Sequence, residues 1–346
     1  MLTRRIMIAG AGFAGVGLAG AGVGVARADM PALVEAARKE GALTWYTAHT
    51  DGETAQATLD AFVTVYPFIK GSVIRTTAQV GYQRLLQDIK NGIANCDVYS
   101  STDLGHDETL KAQGKFVKWV PEGAAALLPA FQGLDAGGTY YPTLAELVLP
   151  IFNSAKVKAA DAPKSWPDLL NPRWRGQVAV GHPAYSGTVG TWVVMLRKMY
   201  GWSYFEKLEK NRPLIGRSVN DAVGVLSSGE RMVAAGPSAL SQVQAARGNP
   251  IGISYPTDGA AIIVSPSAVM ANAPHPNAAR LFVEFLLSAQ HAKLSADSYR
   301  GPVRAGATLQ PGVVPLADVM VNRLSTAEIV AGIPEVIEQW RDTFGS

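Results

Sequence analysis

From position 30 the chain alternates between two hydrophobic periods. Apolar runs of strand formers at 42–46, 72–76 and 96–99 are bounded by polar or Gly-containing stretches, and between them apolar residues recur three and four apart. The spacing predicts helices over 32–40, closed by Gly41, over 55–65 with Leu59, Phe62 and Val63 on one face, and over 82–93 with Leu85, Leu86 and Ile89 inward. Strand, loop and helix repeated in this way point to an α/β fold with a parallel, doubly wound sheet. Such sheets bind ligands beyond the carboxyl ends of their strands, where the polar clusters 47–50 and 100–103 fall.

Between 115 and 141 the pattern loosens around Pro121, Pro129 and Gly137-Gly138, and the run 146–153 reads as a strand crossing into a second lobe. That lobe should hold a strand over 177–180, a helix carrying Trp192, Val193, Leu196 and Met199, and a helix opened by 217–221. A strand over 232–235 then runs into Gly236-Pro237-Ser238, and another follows over 251–255. The very apolar run 260–264 crosses back, Asn277 is placed to cap a helix over 278–287, and a C-terminal helix is expected from Pro334. The expected lobes are therefore 29–146 with 258–300, and 147–257 with 301–346.

One stretch stands out, His182-Pro183-Ala184-Tyr185-Ser186-Gly187-Thr188-Val189-Gly190. Pro183 and Gly187 bar regular structure, and the hydroxyls of Ser186 and Thr188 stand where the next helix leaves its first N–H groups unpaired. Two readings are open: a helix capped by its own serine, and a cradle for an anion.

Composition adds bounds. The 346 residues, 48% hydrophobic and 17% charged, describe an ordinary globular protein long enough for two lobes. Residues 1–28 read as an export signal: Arg4-Arg5, a Gly/Ala-rich apolar stretch, and small residues at the cleavage positions in Ala26-Arg27-Ala28. The paired arginines favour the twin-arginine route, the general secretory route also fits, and the glycines argue against a permanent membrane helix. Losing this segment removes three arginines and no acid, which cancels the formal net charge of +3. Nothing then favours nucleic acid as a partner, and attraction for an anion must be local. The single cysteine, Cys96, offers neither an internal disulfide nor a lipid anchor at the cleavage site, so a soluble periplasmic monomer is expected.

Catalysis has no foothold. Gly236-Pro237-Ser238-Ala239-Leu240 lacks the final glycine of a nucleophile elbow, and the histidines at 49, 106, 182, 275 and 291 lack metal-ligand spacing. His275 reads as a loop residue and His291 as a helix-surface residue, and no catalytic residue, cofactor or metal is expected.

The order of several stretches then resembles a family. Trp45-Tyr46-Thr47-Ala48-His49, Asp97-Val98-Tyr99-Ser100-Ser101, Trp166-Pro167-Asp168-Leu169-Leu170, Ser186-Gly187-Thr188, Tyr255-Pro256-Thr257-Asp258-Gly259 and Pro274-His275-Pro276-Asn277 follow one another as in the family 1 extracellular solute-binding proteins of ABC importers. The chain is most similar to the ferric-iron-binding branch. The resemblance implies a two-lobed periplasmic-binding-protein fold (type II), lobes that close on a ligand, no catalytic step, and delivery to an ABC permease in the inner membrane. It also implies that Tyr46, Thr47, His49, Ser101 and Thr102 face the cleft from the first lobe, and Ser186, Gly187, Thr188, Asn220 and Ser238 from the second. Tyr255 joins them from the motif before the return crossing.

The chain departs from that branch where the iron binders carry adjacent tyrosines. After the strand at 232–235 it reads Gly236-Pro237-Ser238-Ala239, and a glutamate that some iron binders place near Thr102 is absent too, leaving His49 as the one inherited ligand. A hard trivalent cation needs several anionic oxygen donors. The pair Tyr140-Tyr141 falls in a Gly-rich linker, where a surface or packing role is expected. What remains is the anion-binding half of such a site, so the expected cargo is a small organic anion bearing carboxylate or phosphate, with Arg75 and Arg217 as candidate counter-charges. Two alternatives are open: ferric transport with a synergistic anion, and a ligand-sensing subunit for a membrane receptor.

Overall fold

The computed structural model describes residues 29–346, so the export signal read over 1–28 lies outside the described residues. Helix α1 (Met30–Glu40) ends at Gly41, whose φ of 68° is open to glycine and whose N–H closes the helix on the Ala37 carbonyl. Next come β1 (Ala42–Thr47), α2 (Gly52–Val65), β2 (Lys70–Arg75), α3 (Ala78–Lys90), β3 (Val98–Ser100) and α4 (Leu104–Ala112), alternating as the hydrophobic periods predict. The long β4 (Tyr140–Asn153) leads to β5 (Val178–Gly181), α5 (Gly187–Tyr200), α6 (Ser203–Lys210), β6 (Leu214–Gly216), α7 (Val219–Ser227), β7 (Val233–Pro237), α8 (Ser238–Ala246) and β8 (Ile251–Ile253). The chain returns along β9 (Ala260–Val269) and finishes with α9 (Pro276–Leu286), α10 (Ala289–Asp297), β10 (Val321–Asn322) and α11 (Thr326–Phe344).

The strand order is β2-β1-β3-β9-β4-β7-β5-β6, with β8 on β4 and β10 on β9. The sheet is mixed, which corrects the parallel expectation. β1 runs parallel to β2 and β3, and β5 to β6 and β7, but β9 is antiparallel to both β3 and β4, and β4 to β7. The cause is the double crossing: a chain that leaves one lobe along β4 and returns along its neighbour β9 must reverse direction. Every residue of β9 is buried, which is why its first half, 260–264, is continuously apolar rather than alternating.

Helices cover the sheet through aromatic contacts. On the β1–β3 side Trp45, Phe62 and Phe282 meet edge to face, with centroids 5.0 and 4.9 Å apart. On the β5–β7 side Trp192 of α5, Phe205 of α6 and Trp340 of α11 form a second chain of contacts at 5.9 and 5.8 Å.

Several local expectations are corrected. Helix α11 begins at Thr326, eight residues before the expected start, and contains Pro334 within it. An interior proline costs about 3 kcal/mol, and burial of Ile329, Ile333, Val336 and Trp340 against α5 offsets it. Asn277 does not cap α9; its backbone N–H and side chain, with the N–H of Ala278, donate to the Glu40 carboxylate at the end of α1, which supplies the negative charge at that helix end. His291 is buried, donating from Nδ1 to the Leu286 carbonyl at 2.8 Å, because α10 turns its small polar residues inward. Tyr140 and Tyr141 lie in β4, where their hydroxyls donate to Glu108 and to the Trp119 carbonyl.

Candidate functional site

The loop after β1, the N-termini of α3, α5 and α7, and the connector after α10 surround one polar pocket between the two sides of the sheet. Of the residues expected there, His49, Thr102, Ser186, Thr188 and Asn220 line it. His49 is set by two bonds: its N–H donates to Thr47 Oγ1 at 3.1 Å and its Nε2–H to the Pro266 carbonyl at 2.9 Å. Burial pushes its imidazole down to about 3, so at neutral pH it is an uncharged ring.

The other expected residues are placed differently. The Tyr46 hydroxyl donates to Asp88 at 2.8 Å and accepts from Asn95, away from the pocket. Thr47 is buried and only positions His49, and Ser101 Oγ accepts from the Asp103 N–H in the turn that opens α4. Ser238 donates to Glu146 at 2.7 Å, and both it and Tyr255 line a neighbouring apolar cavity. Gly187 is a contact rather than a ligand group: a methyl added there would stand 2.5 Å from the carbonyl carbon and oxygen of Thr102. The two sides of the cleft touch at this point.

Two arginines line the pocket, Arg75 and Arg300. Arg75 donates from Nε to the Thr50 carbonyl at 2.6 Å and lines the pocket, whereas Arg217 is exposed and lies over the Tyr185 ring. Arg300 is only 5% exposed. Its Nε has no hydrogen-bond partner among the described residues and lies 3.6 Å from Glu146 Oε2. Nothing periodic marks Arg300 in the sequence; the one cue is a lone arginine between a helix end and Gly301-Pro302.

Five helix N-termini converge here, and they are not equivalent. Asp51 caps α2 by accepting from the Thr54 N–H and hydroxyl; burial raises its carboxyl, but these bonds and Arg300 outweigh burial and hold it below the ordinary value. Glu146 accepts from Ser238 Oγ and the Ala239 N–H at the start of α8, and Asp221 from the Arg217 and Ser218 N–H groups before α7. Helices α3 and α5 face the pocket from opposite sides with no carboxylate among the described residues on their first backbone N–H groups; the nearest, Asp103, accepts from the Gln79 side chain of α3 at 3.1 Å. Ser186 caps α5 through a long bond of 3.4 Å from the Val189 N–H, and the buried Thr77 Oγ1 before α3 has no partner among the described residues. Ser265 Oγ, also in the wall, is equally unpartnered. Each helix end carries roughly half a positive charge, so the five converging ends and the two arginines together outweigh the three carboxylates Asp51, Glu146 and Asp221.

The cavity volume is about 30 Å³, room for about one water molecule. Admitting anything larger requires the two sides to part. Among the described residues no group of three His, Cys, Asp or Glu side chains is arranged to hold a metal ion, and no helix is long and apolar enough to cross a membrane.

Comparison with known proteins agrees with this architecture. The periplasmic binding protein AfuA of Actinobacillus pleuropneumoniae, solved with exogenous fructose 6-phosphate bound, is 19% identical, with a TM-score of 0.80 over 88% of this chain and 99% of its own. Iron-bound HitA of Pseudomonas aeruginosa is 23% identical, with a TM-score of 0.72 over 87% of this chain and 99% of its own. The substrate-binding protein of an ABC transporter from Agrobacterium tumefaciens is 15% identical, with a TM-score of 0.78 over 90% and 97%. An uncharacterised protein of Haemophilus influenzae is 23% identical over 145 residues, 41% of this chain and 42% of its own length, so the chain spans less than half of that curated relative. At these identities the likeness is one of fold. The profile of the bacterial extracellular solute-binding proteins matches residues 103–323, more than half of the chain. The chain belongs to that family of bacterial extracellular solute-binding proteins, a family of binding proteins rather than enzymes, and has the two-lobed type II fold of periplasmic binding proteins.

Proposed function

We propose that this protein captures a small organic anion, carboxylate- or phosphate-bearing, between its lobes and delivers it as a monomer to an ABC permease in the inner membrane. The lobes are 29–146 with 258–300, and 147–257 with 301–346, and residues 1–28 direct export. One observation carries the reading: the N-termini of α3 and α5, whose first-turn backbone N–H groups bond to no carboxylate among the described residues, meet across the cleft beside Arg75 and Arg300.

Micromolar affinity requires about 8 kcal/mol. One helix end supplies at most about 2 kcal/mol, and each hydrogen bond to a charged ligand roughly 1.5–3 kcal/mol. Three to five such bonds are needed, and the groups that can make them are divided between the lobes, which is the physical reason for a closing cleft. Thr77, Ser186, Thr188, Asn220 and the two arginines supply them, with His49 and Thr102 completing the wall. AfuA, the fold relative with fructose 6-phosphate bound, is consistent with a phosphate-bearing cargo.

The iron-bound fold relative HitA raises a ferric reading, which this pocket supports less well. The pocket wall contains no tyrosine, its carboxylates Asp51 and Glu146 are held by helix ends, and the Nε2 of His49 is engaged with Pro266. A thermal-shift series with fructose 6-phosphate, inorganic phosphate, citrate and ferric citrate tests the choice. A rise with one of the metal-free anions is expected; a rise and visible colour with iron alone would overturn it.

A further inference from the structure

A second cavity, about 350 Å³, adjoins the anion pocket on the far side of Glu146. Its floor is the crossing pair of strands, through Leu147 of β4 and Ile262 of β9, and its roof is the connector 301–317, through Val314 and Leu316. The wall is mostly aliphatic, with Tyr255, Tyr299 and Gln242 among its few other groups, and the volume lies in the range of small-molecule sites. It equals that of about a dozen water molecules. Water filling it would find few hydrogen-bond partners, so an apolar occupant gains the hydrophobic free energy of leaving bulk solvent.

The charged groups of the wall fix which way round an occupant lies. Glu146, on the partition shared with the anion pocket, is held by Ser238 and the Ala239 N–H and faces Arg300, so it repels a second anion. Arg304 also lines the cavity; it donates from Nη1 to the Leu287 carbonyl at 2.9 Å, and among the described residues no carboxylate pairs with it. A guanidinium without a carboxylate partner, at the other end of a mostly apolar wall from Glu146, matches a carboxylate carried by a hydrocarbon body.

We propose that this cavity is a second ligand site, separate from the cleft, for an amphipathic monocarboxylate of about a dozen non-hydrogen atoms, its apolar body between β4, β9 and the connector and its carboxylate on Arg304. The site does not depend on the identity of the cleft ligand. The test is calorimetric titration of the mature protein with decanoate, decan-1-ol and inorganic phosphate. Decanoate binds with a stoichiometry of one, decan-1-ol about tenfold more weakly for want of a charge-assisted bond, and phosphate does not compete. Arg304→Gln brings decanoate to the affinity of the alcohol, while Ala307→Trp, which fills the cavity from the connector, abolishes binding of both. Neither variant changes the thermal response to cleft anions. Absence of saturable decanoate binding, equal affinity for acid and alcohol, or competition by phosphate overturns the proposal, whatever the cleft proves to bind.

Discussion

Replacing Gly187 with alanine should weaken ligand binding while leaving the ligand-free protein as stable as before or slightly more so. Gly187 opens α5, and alanine in place of glycine at a helical position is favourable by up to about 1 kcal/mol. In the shut cleft, however, the new methyl would meet the Thr102 backbone at 2.5 Å and Asp103 Cβ at 2.6 Å, roughly an ångström inside ordinary contact. The obstacle is backbone, which cannot swing aside like a long side chain. Overpacking of this kind costs about 1–3 kcal/mol, and because the parted lobes do not feel it, the whole cost falls on the ligand-bound form. That corresponds to a 5- to 150-fold loss of affinity, on the order of a typical coupling energy. The control is Gly224→Ala, an exposed helical glycine with nothing within 4 Å of its added methyl, expected to raise the melting temperature without changing affinity. Calorimetric titration with the anion found by the thermal-shift series, together with ligand-free melts, reads both quantities. Wild-type affinity in a folded Gly187→Ala protein would refute the argument, since it would mean that the contact with Thr102 is no part of the bound state.

Two further perturbations follow from the charges. Arg300→Met should lower anion affinity roughly 10- to 150-fold, the value of one charge-assisted bond, and lower the melting temperature by leaving Glu146 without its neighbour; adding Glu146→Gln should restore the melting temperature but not the affinity, and a single variant that binds like wild type would rule Arg300 out. Burial holds His291 at about 4, below its unfolded value near 6.5, so its contribution is complete above pH 6.5 and is lost as the pH falls towards 4. Linkage gives about 2 kcal/mol lost between neutral pH and pH 5. Burial pushes the Asp107 carboxyl up and acts in the opposite sense, so the readout is the difference in urea unfolding between wild type and His291→Gln: the variant should lose about 2 kcal/mol less, and equal losses would contradict the assignment.

The alternation of strands and helices was legible because burial imposes its period on the residues themselves: β1, α2 and α5 lie where their apolar spacing puts them. Strand direction was not, since β9 reads the same whichever way its neighbours run, and only the path of the chain makes it antiparallel. Pro334 was misleading because proline favours the first turn of a helix, whereas here packing against α5 overrides that local preference. In the candidate site, Ser186, Thr188 and His49 could be found from loop chemistry and the order of motifs. Arg300 could not, because its place in the pocket depends on a connector more than 100 residues along the chain from α5. Tyr46 was expected at the cleft and instead turns its hydroxyl towards Asp88 on α3, a direction that alternation along a strand buried on both faces does not reveal.

The shut pocket, with room for about one water molecule, has a consequence for time as well as for affinity. A cargo held there cannot leave by shedding its hydrogen bonds one by one into solvent, because there is no solvent beside it; the lobes must separate first. Residence time is then set by how firmly the two halves grip each other, and the close approach of Gly187 to Thr102 becomes part of the clock for release although neither backbone need touch the cargo.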